Sequence, residues 1–259
     1  MKLLTKNSKE DAAGQPTGTP PEMSLLEHLD ELRSRLVKMV LAFVLGCSVS
    51  WFLYEKILRL LIGPLKKLPV SDQIISRGKL VFTAPTEAFF IRLKITAFTG
   101  LVFALPIILW QLWRFVTPGL HKREKRYVLP FVFISMGLFV AGINLAFFSL
   151  PKALEVLTSF AGQDLILLPR AAEYLSFVLL LIAAFGLSFE FPIVLIALTL
   201  VGVLSSAKLR KGRKAAYLII LIAAALITPT QDPITLAIMA VPLGLLYEAT
   251  ILTTRLLKK

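Results

Sequence analysis

The chain is poor in the residues from which most covalent and catalytic sites are built. Of its 259 residues one is a cysteine, Cys47, and it lies inside an apolar run. Neither an internal disulfide nor a CxxC metal or redox site is therefore available. There are two histidines, His28 and His121, and no HExxH, GxSxG, dinucleotide fingerprint or GxxxxGKS/T loop. That excludes the familiar zinc-hydrolase, esterase and nucleotide-driven chemistries, and it points to no resident cofactor or metal and to a protein that is not an enzyme. Work done without a nucleotide site has to draw on a partner or on an ion gradient.

Charge is also scarce, at 17% of residues, and it comes in short blocks between long apolar stretches. Apolar residues make up 56% of the chain, above the share of an ordinary soluble domain, and the mean hydropathy is +0.77. Such an excess needs lipid to cover it. The net charge of +13 could indicate nucleic acid, but here Lys and Arg flank apolar runs instead of forming a solvated patch, so membrane topology accounts for it better.

A helix crossing roughly 30 Å of hydrocarbon needs about 20 mostly apolar residues. Six windows qualify: Val37 to Leu53, Ile95 to Val116, Val128 to Leu150, Tyr174 to Leu204, Ala215 to Ile227 and Ile234 to Leu252. The expectation is an all-α membrane protein of six spans, the fifth and sixth short around the breaker TPTQDP, Thr228 to Pro233. Residues 1–22 are polar and rich in Pro, Gly and Thr, which predicts a disordered tail ahead of one membrane domain at 23–259. No A-x-A-like site follows the first apolar run, which reads as a retained span. The loops HKREKRY, His121 to Tyr127, and KLRKGRK, Lys208 to Lys214, carry four and five basic residues, against two between Pro151 and Arg170 and none in TPTQDP. Both termini are thus expected in the cytoplasm, although the long connection from Tyr54 to Lys94 holds eight.

Three polar features stand out. In SLLEHLDELRSRL, Ser24 to Leu36, leucines line one face of an expected interfacial helix, and Ser24 with Glu27 fits a capping box. Glu31 and Arg35 lie four apart, which reads either as a surface pair or as a carboxylate poised for an external cation. In PGLHKREKR, Pro118 to Arg126, the one acid is Glu124, either a charge-balancing group or a second cation acceptor. Glu190, in FGLSFEFP, falls deep inside a span and needs a polar partner or water, as a structural hydrogen bond or as a functional group. A transporter relaying protons through Glu190 is the rival reading; it predicts inverted repeats, and the two halves show no convincing similarity.

Taken together, HLDELRSRL at His28 to Leu36, PLKKLP at Pro64 to Pro69, GLHKREKRYVLP at Gly119 to Pro130, YLSFVLLLIAAFGLSFEFP at Tyr174 to Pro192 and TPTQDP resemble the TatC family of twin-arginine translocase subunits. The resemblance implies a cupped six-helix bundle in a bacterial inner membrane. Its cytoplasmic face would receive twin-arginine signal peptides of folded proteins, and it would work with TatA-type and TatB-type single-span partners in an oligomeric complex driven by the proton motive force. It further implies that Glu31 and Glu124 accept the signal arginines, with Arg33 orienting Glu31. Glu190 would meet a polar group of a TatA-type span, and Thr228 and Asp232 would mark the docking region for partner spans. Where the family often has a glutamine four residues after Asp232, this chain has Leu236.

Overall fold

A computed structural model describes residues 25–67, 80–116, 128–160, 168–227 and 233–256. Seven α-helices occur among them: α1 Leu25–Ile62, α2 Pro85–Val116, α3 Val128–Ser159, α4 Ala171–Leu200, α5 Ser206–Lys211, α6 Arg213–Ile227 and α7 Pro233–Leu256. A 3₁₀ turn, Gly63–Lys67, follows α1. The tail expected over residues 1–22 lies outside the described residues.

Five of these helices, α1 to α4 and α7, are long and apolar enough to cross a membrane. Large apolar side chains stay exposed along them, with Phe52 at 87% and Leu245 at 67%, a surface that only lipid or another apolar partner would tolerate. The fold is an all-α, multi-span membrane protein.

Three differences from the sequence reading have simple causes. The interfacial helix and the first span are one continuous helix of 38 residues, because no proline or turn signal separates Leu36 from Val37. The fifth segment is short as expected, but at 15 residues, about 22 Å, α6 is not among the described helices long enough to cross. The last segment is not short: Pro233 occupies the first helical position, where its missing N–H costs nothing, and α7 continues for 24 residues through Pro242.

The helices pack as two antiparallel pairs, α1 on α2 and α3 on α4, with α7 laid against α4. Close approach in the first pair depends on Gly46 and Gly100, since a Cβ on Gly46 would lie 2.3 Å from the Gly100 carbonyl oxygen. The central helix is α4. Val178, Leu181 and Phe185 are fully buried there, within a core that also takes in Ile95 of α2, Leu150 of α3 and Met239 of α7. A second, smaller core gathers Trp113, Phe131, Ile196 and Leu200, with the Trp113 and Phe131 rings stacked at 4.8 Å.

Helix ends are fixed by local chemistry. Past the Val201 cap of α4, Gly202 adopts φ +86°, a left-handed conformation suited to glycine. Val203 N–H then donates back to the Leu198 carbonyl at 2.9 Å. The Ser205 hydroxyl accepts from the Lys208 N–H at 3.3 Å to start α5. On the far side of the bundle, Val81 and Arg170 form an isolated parallel bridge that ties the chain entering α2 to the chain entering α4.

Candidate functional site

Glu31 sits near the start of α1, where the amphipathic sequence keeps it at the rim of the bundle with its side chain 26% exposed. Four residues on, one turn along the same face, the Arg35 guanidinium donates to Glu31 Oε1. Arg35 is itself buried, and its Nη1 donates to the Gln111 carbonyl of α2 at 3.4 Å. The pair is therefore not the loose surface contact that spacing alone allows. The Arg35 contact thus holds the Glu31 carboxylate, a strong acceptor of guanidinium N–H groups, in a fixed position at the rim.

Arg33, named from the resemblance as the orienting residue, points outward and makes no ion pair with Glu31. Arg35, two residues on, donates to Glu31 Oε1. Glu124, Thr228 and Asp232 lie outside the described residues, so the structure neither brings them to Glu31 and Glu190 nor separates them.

Glu190 lies in α4 two residues before the internal Pro192. Its Oε2 accepts a hydrogen bond from the hydroxyl of Ser135 on α3, and its Oε1 is buried with no hydrogen-bond partner among the described residues. One of its two oxygens is engaged across the α3–α4 pair, and the other has no partner among the described residues. Elsewhere on α4, an apolar groove of 460 Å³ that Glu190 does not line runs between α4, α6 and α7, bounded by Leu187, Phe191, Ile219 and Leu243. Leu236 is half-buried and packs against the main core, so at this position the chain presents an apolar contact.

Several polar groups of the site escaped the sequence reading. Ser135 looks like any small residue in an apolar run, and Gln111 acts through its backbone carbonyl, which no side-chain motif reveals. At the end of α7, Glu248 accepts from Arg213 Nη2 at 2.6 Å and from the Tyr217 hydroxyl of α6, while Tyr247 donates to the Leu209 carbonyl of α5 at 2.8 Å. An acid within the apolar run of α7 was the available signal for that cluster. No group of three or more His, Cys, Asp or Glu able to hold a metal occurs among the described residues.

Fold and site together define a polytopic helical membrane protein. It carries a pre-positioned carboxylate at one rim and a half-satisfied carboxylate within a span. The family model described as TatC, Sec-independent protein translocase protein, matches residues 27–242. A Sec-independent protein translocase protein TatC from Frankia casuarinae is 38% identical over 236 residues, covering 89% of this chain but 65% of that longer relative. One from Desulforapulum autotrophicum is 38% identical over 234 residues, covering 90% of this chain and 84% of the relative. A crystal structure of the twin arginine translocase receptor TatC in DDM superposes with TM-score 0.74 at 36% identity, covering 88% of this chain and 99% of that one. The chain belongs to the TatC family.

Proposed function

We propose that this chain is the signal-peptide receptor of a twin-arginine translocase in a bacterial cytoplasmic membrane. In this reading it is catalytically silent, binds the Arg-Arg leader of folded proteins, and recruits TatA-type and TatB-type single-span partners for export driven by the proton motive force. The observation that carries the reading is Glu31, fixed at the rim by buried Arg35 yet still partly exposed. A carboxylate so held accepts a guanidinium with bidentate geometry that lysine cannot copy. With Glu124 as the second acceptor, two charged contacts at roughly 1.5–3 kcal/mol each supply about 3–6 kcal/mol. Micromolar binding needs about 8 kcal/mol, so the apolar part of the leader must contribute the rest.

The topology that goes with this function has six crossings, both termini cytoplasmic and a cupped bundle. In it α6 crosses as the short fifth span, and the bilayer thins locally to match its length. Glu190 and its open Oε1 lie where a polar group of a partner span would complete the hydrogen bonding. Thr228 and Asp232, between α6 and α7 in the sequence, would mark the docking region for partner spans.

Crosslinking in membranes with leader peptides bearing Arg-Arg or Lys-Lys tests the receptor reading. Preferential labelling by Arg-Arg is expected, and Glu31→Lys with Glu124→Lys should abolish it while leaving membrane insertion intact. Equal labelling by the two peptides would remove the basis for the assignment.

A further inference from the structure

At the end of the α1–α2 pair opposite Glu31, Arg92 of α2 lies over two aromatic rings of α1. Its guanidinium carbon is 4.2 Å from the Trp51 ring centroid and 4.9 Å from that of Tyr54. Among the described residues its buried Nε has no hydrogen-bond partner, and no ion pair joins it to Glu55, next to Tyr54 in sequence. The cation is thus oriented by the rings while its N–H fork has no described acceptor.

Depth narrows what the acceptor is. Arg92 and Arg114 lie about 33 Å apart along α2, close to the hydrocarbon thickness of a bilayer. On α1 the uncharged stretch runs from Met39 to Tyr54, so Trp51 and Tyr54 end it. All three residues therefore stand at one membrane interface, the level at which Trp and Tyr anchor and lipid phosphates lie. Lys94, nearby on α2, is directed elsewhere and donates to Ser176 of α4 at 2.9 Å. Around Arg92 the surface is bulky and apolar, with Phe52, Phe89 and Phe90 all exposed. That suits acyl chains better than a partner helix, whose close approach needs small residues.

We infer that Arg92, stacked on Trp51 and Tyr54, binds the phosphate group of a phospholipid at this interface. The planar fork offers a bidentate match to two phosphate oxygens, and the rings hold the fork at headgroup level.

Native mass spectrometry of the full chain released from detergent tests this with three probes: phosphatidylglycerol, diacylglycerol of the same acyl chains, and inorganic phosphate. The wild type should retain one phosphatidylglycerol that Arg92→Gln loses by at least about tenfold, the loss of one charged hydrogen-bonded contact. Trp51→Leu should give an intermediate loss, and Arg92→Lys, which keeps the charge without the fork, should fall between wild type and Arg92→Gln. Diacylglycerol should be retained equally by all four proteins. Equal retention of phosphatidylglycerol by wild type and Arg92→Gln would overturn the site. Retention of inorganic phosphate without lipid would overturn the lipid as its source. Arg92-dependent co-purification of a protein with lipid retention unchanged would show instead that a partner's acid is the acceptor.

Discussion

The hydroxyl of Ser135 on α3 donates to Glu190 on α4, and it is the one side-chain partner that acid has among the described residues. The second carboxylate oxygen is buried without a hydrogen bond. A half-satisfied acid inside a span is stabilised further by any polar group that arrives from outside, so the partner contact proposed at Glu190 is tied to Ser135.

Substitutions at this pair separate structure from recruitment. Glu190→Gln keeps an oxygen to accept from Ser135, so the melting temperature of the purified protein should stay close to wild type while crosslinking to a single-span partner falls. Ser135→Ala removes the hydrogen-bond donor and should cost about 1–3 kcal/mol. Partner crosslinking by Glu190→Gln at the wild-type level would show that the carboxylate is not what the partner reads.

Truncating either Arg35 or Glu31 should loosen the start of α1. Arg35→Ala removes a buried side chain that joins α1 to the Gln111 carbonyl of α2, and a loss of about 1–3 kcal/mol is expected in a thermal denaturation scan. Glu31→Ala leaves the buried Arg35 guanidinium without its carboxylate and should also lower the melting temperature. Both should lower crosslinking of an Arg-Arg leader, because Arg35 fixes the geometry that Glu31 presents. Full leader binding by Arg35→Ala would mean that Glu31 needs no orienting.

The glycines of the first helix pair provide a contrast within one experiment. A Cβ at Gly100 would meet backbone and Sγ atoms of Cys47 at 2.6–2.8 Å, whereas nothing lies within 4 Å of a Cβ at Gly137. Gly100→Ala should therefore destabilise by about 1–3 kcal/mol through overpacking. Gly137→Ala, in the middle of α3, should stabilise by up to about 1 kcal/mol because alanine favours helix. Opposite shifts in melting temperature are expected, and shifts of the same sign would contradict the packing of α1 on α2.

How far the sequence was legible differs from residue to residue. Glu190 could be found because a carboxylate in an apolar run is costly, and the costs that flag such a residue are local. Ser135 could not, because its role depends on α3 meeting α4 at a depth set by tertiary packing. The Glu31 and Arg35 spacing predicted their contact, yet nothing local says that Arg35 is buried against a carbonyl 76 residues away. The extent of α1 was missed for a similar reason: a polar helical face followed by an apolar run reads as two elements unless a breaker is looked for and found absent. The sixth window, Ile234 to Leu252, passes through Pro242, and the extra length of α7 lies at its ends, where Pro233 starts the helix and the last turn runs on to Leu256.

Glu87 shows how the two pairs are joined at the membrane face opposite Glu31. Its Oε2 accepts from the Thr83 N–H at 2.8 Å and from the Thr83 hydroxyl at 3.1 Å, while its Oε1 accepts from the Ala172 N–H at 3.1 Å. One carboxylate thus caps the start of its own helix and binds a free amide in the first turn of α4, both sites where backbone donors lack intrahelical partners. Arg170 reinforces the junction by donating to Thr83 Oγ1 at 3.2 Å and to Glu173 at 2.7 Å. Glu87→Gln leaves a single acceptor oxygen in place of two, so it can serve Thr83 or Ala172 but not both. Hydrogen exchange read at the Thr83 and Ala172 amides should accelerate at both positions in Glu87→Ala and at one of the two in Glu87→Gln. Protection unchanged at Ala172 in both variants would mean that the Val81 and Arg170 bridge alone holds α2 to α4 at this end.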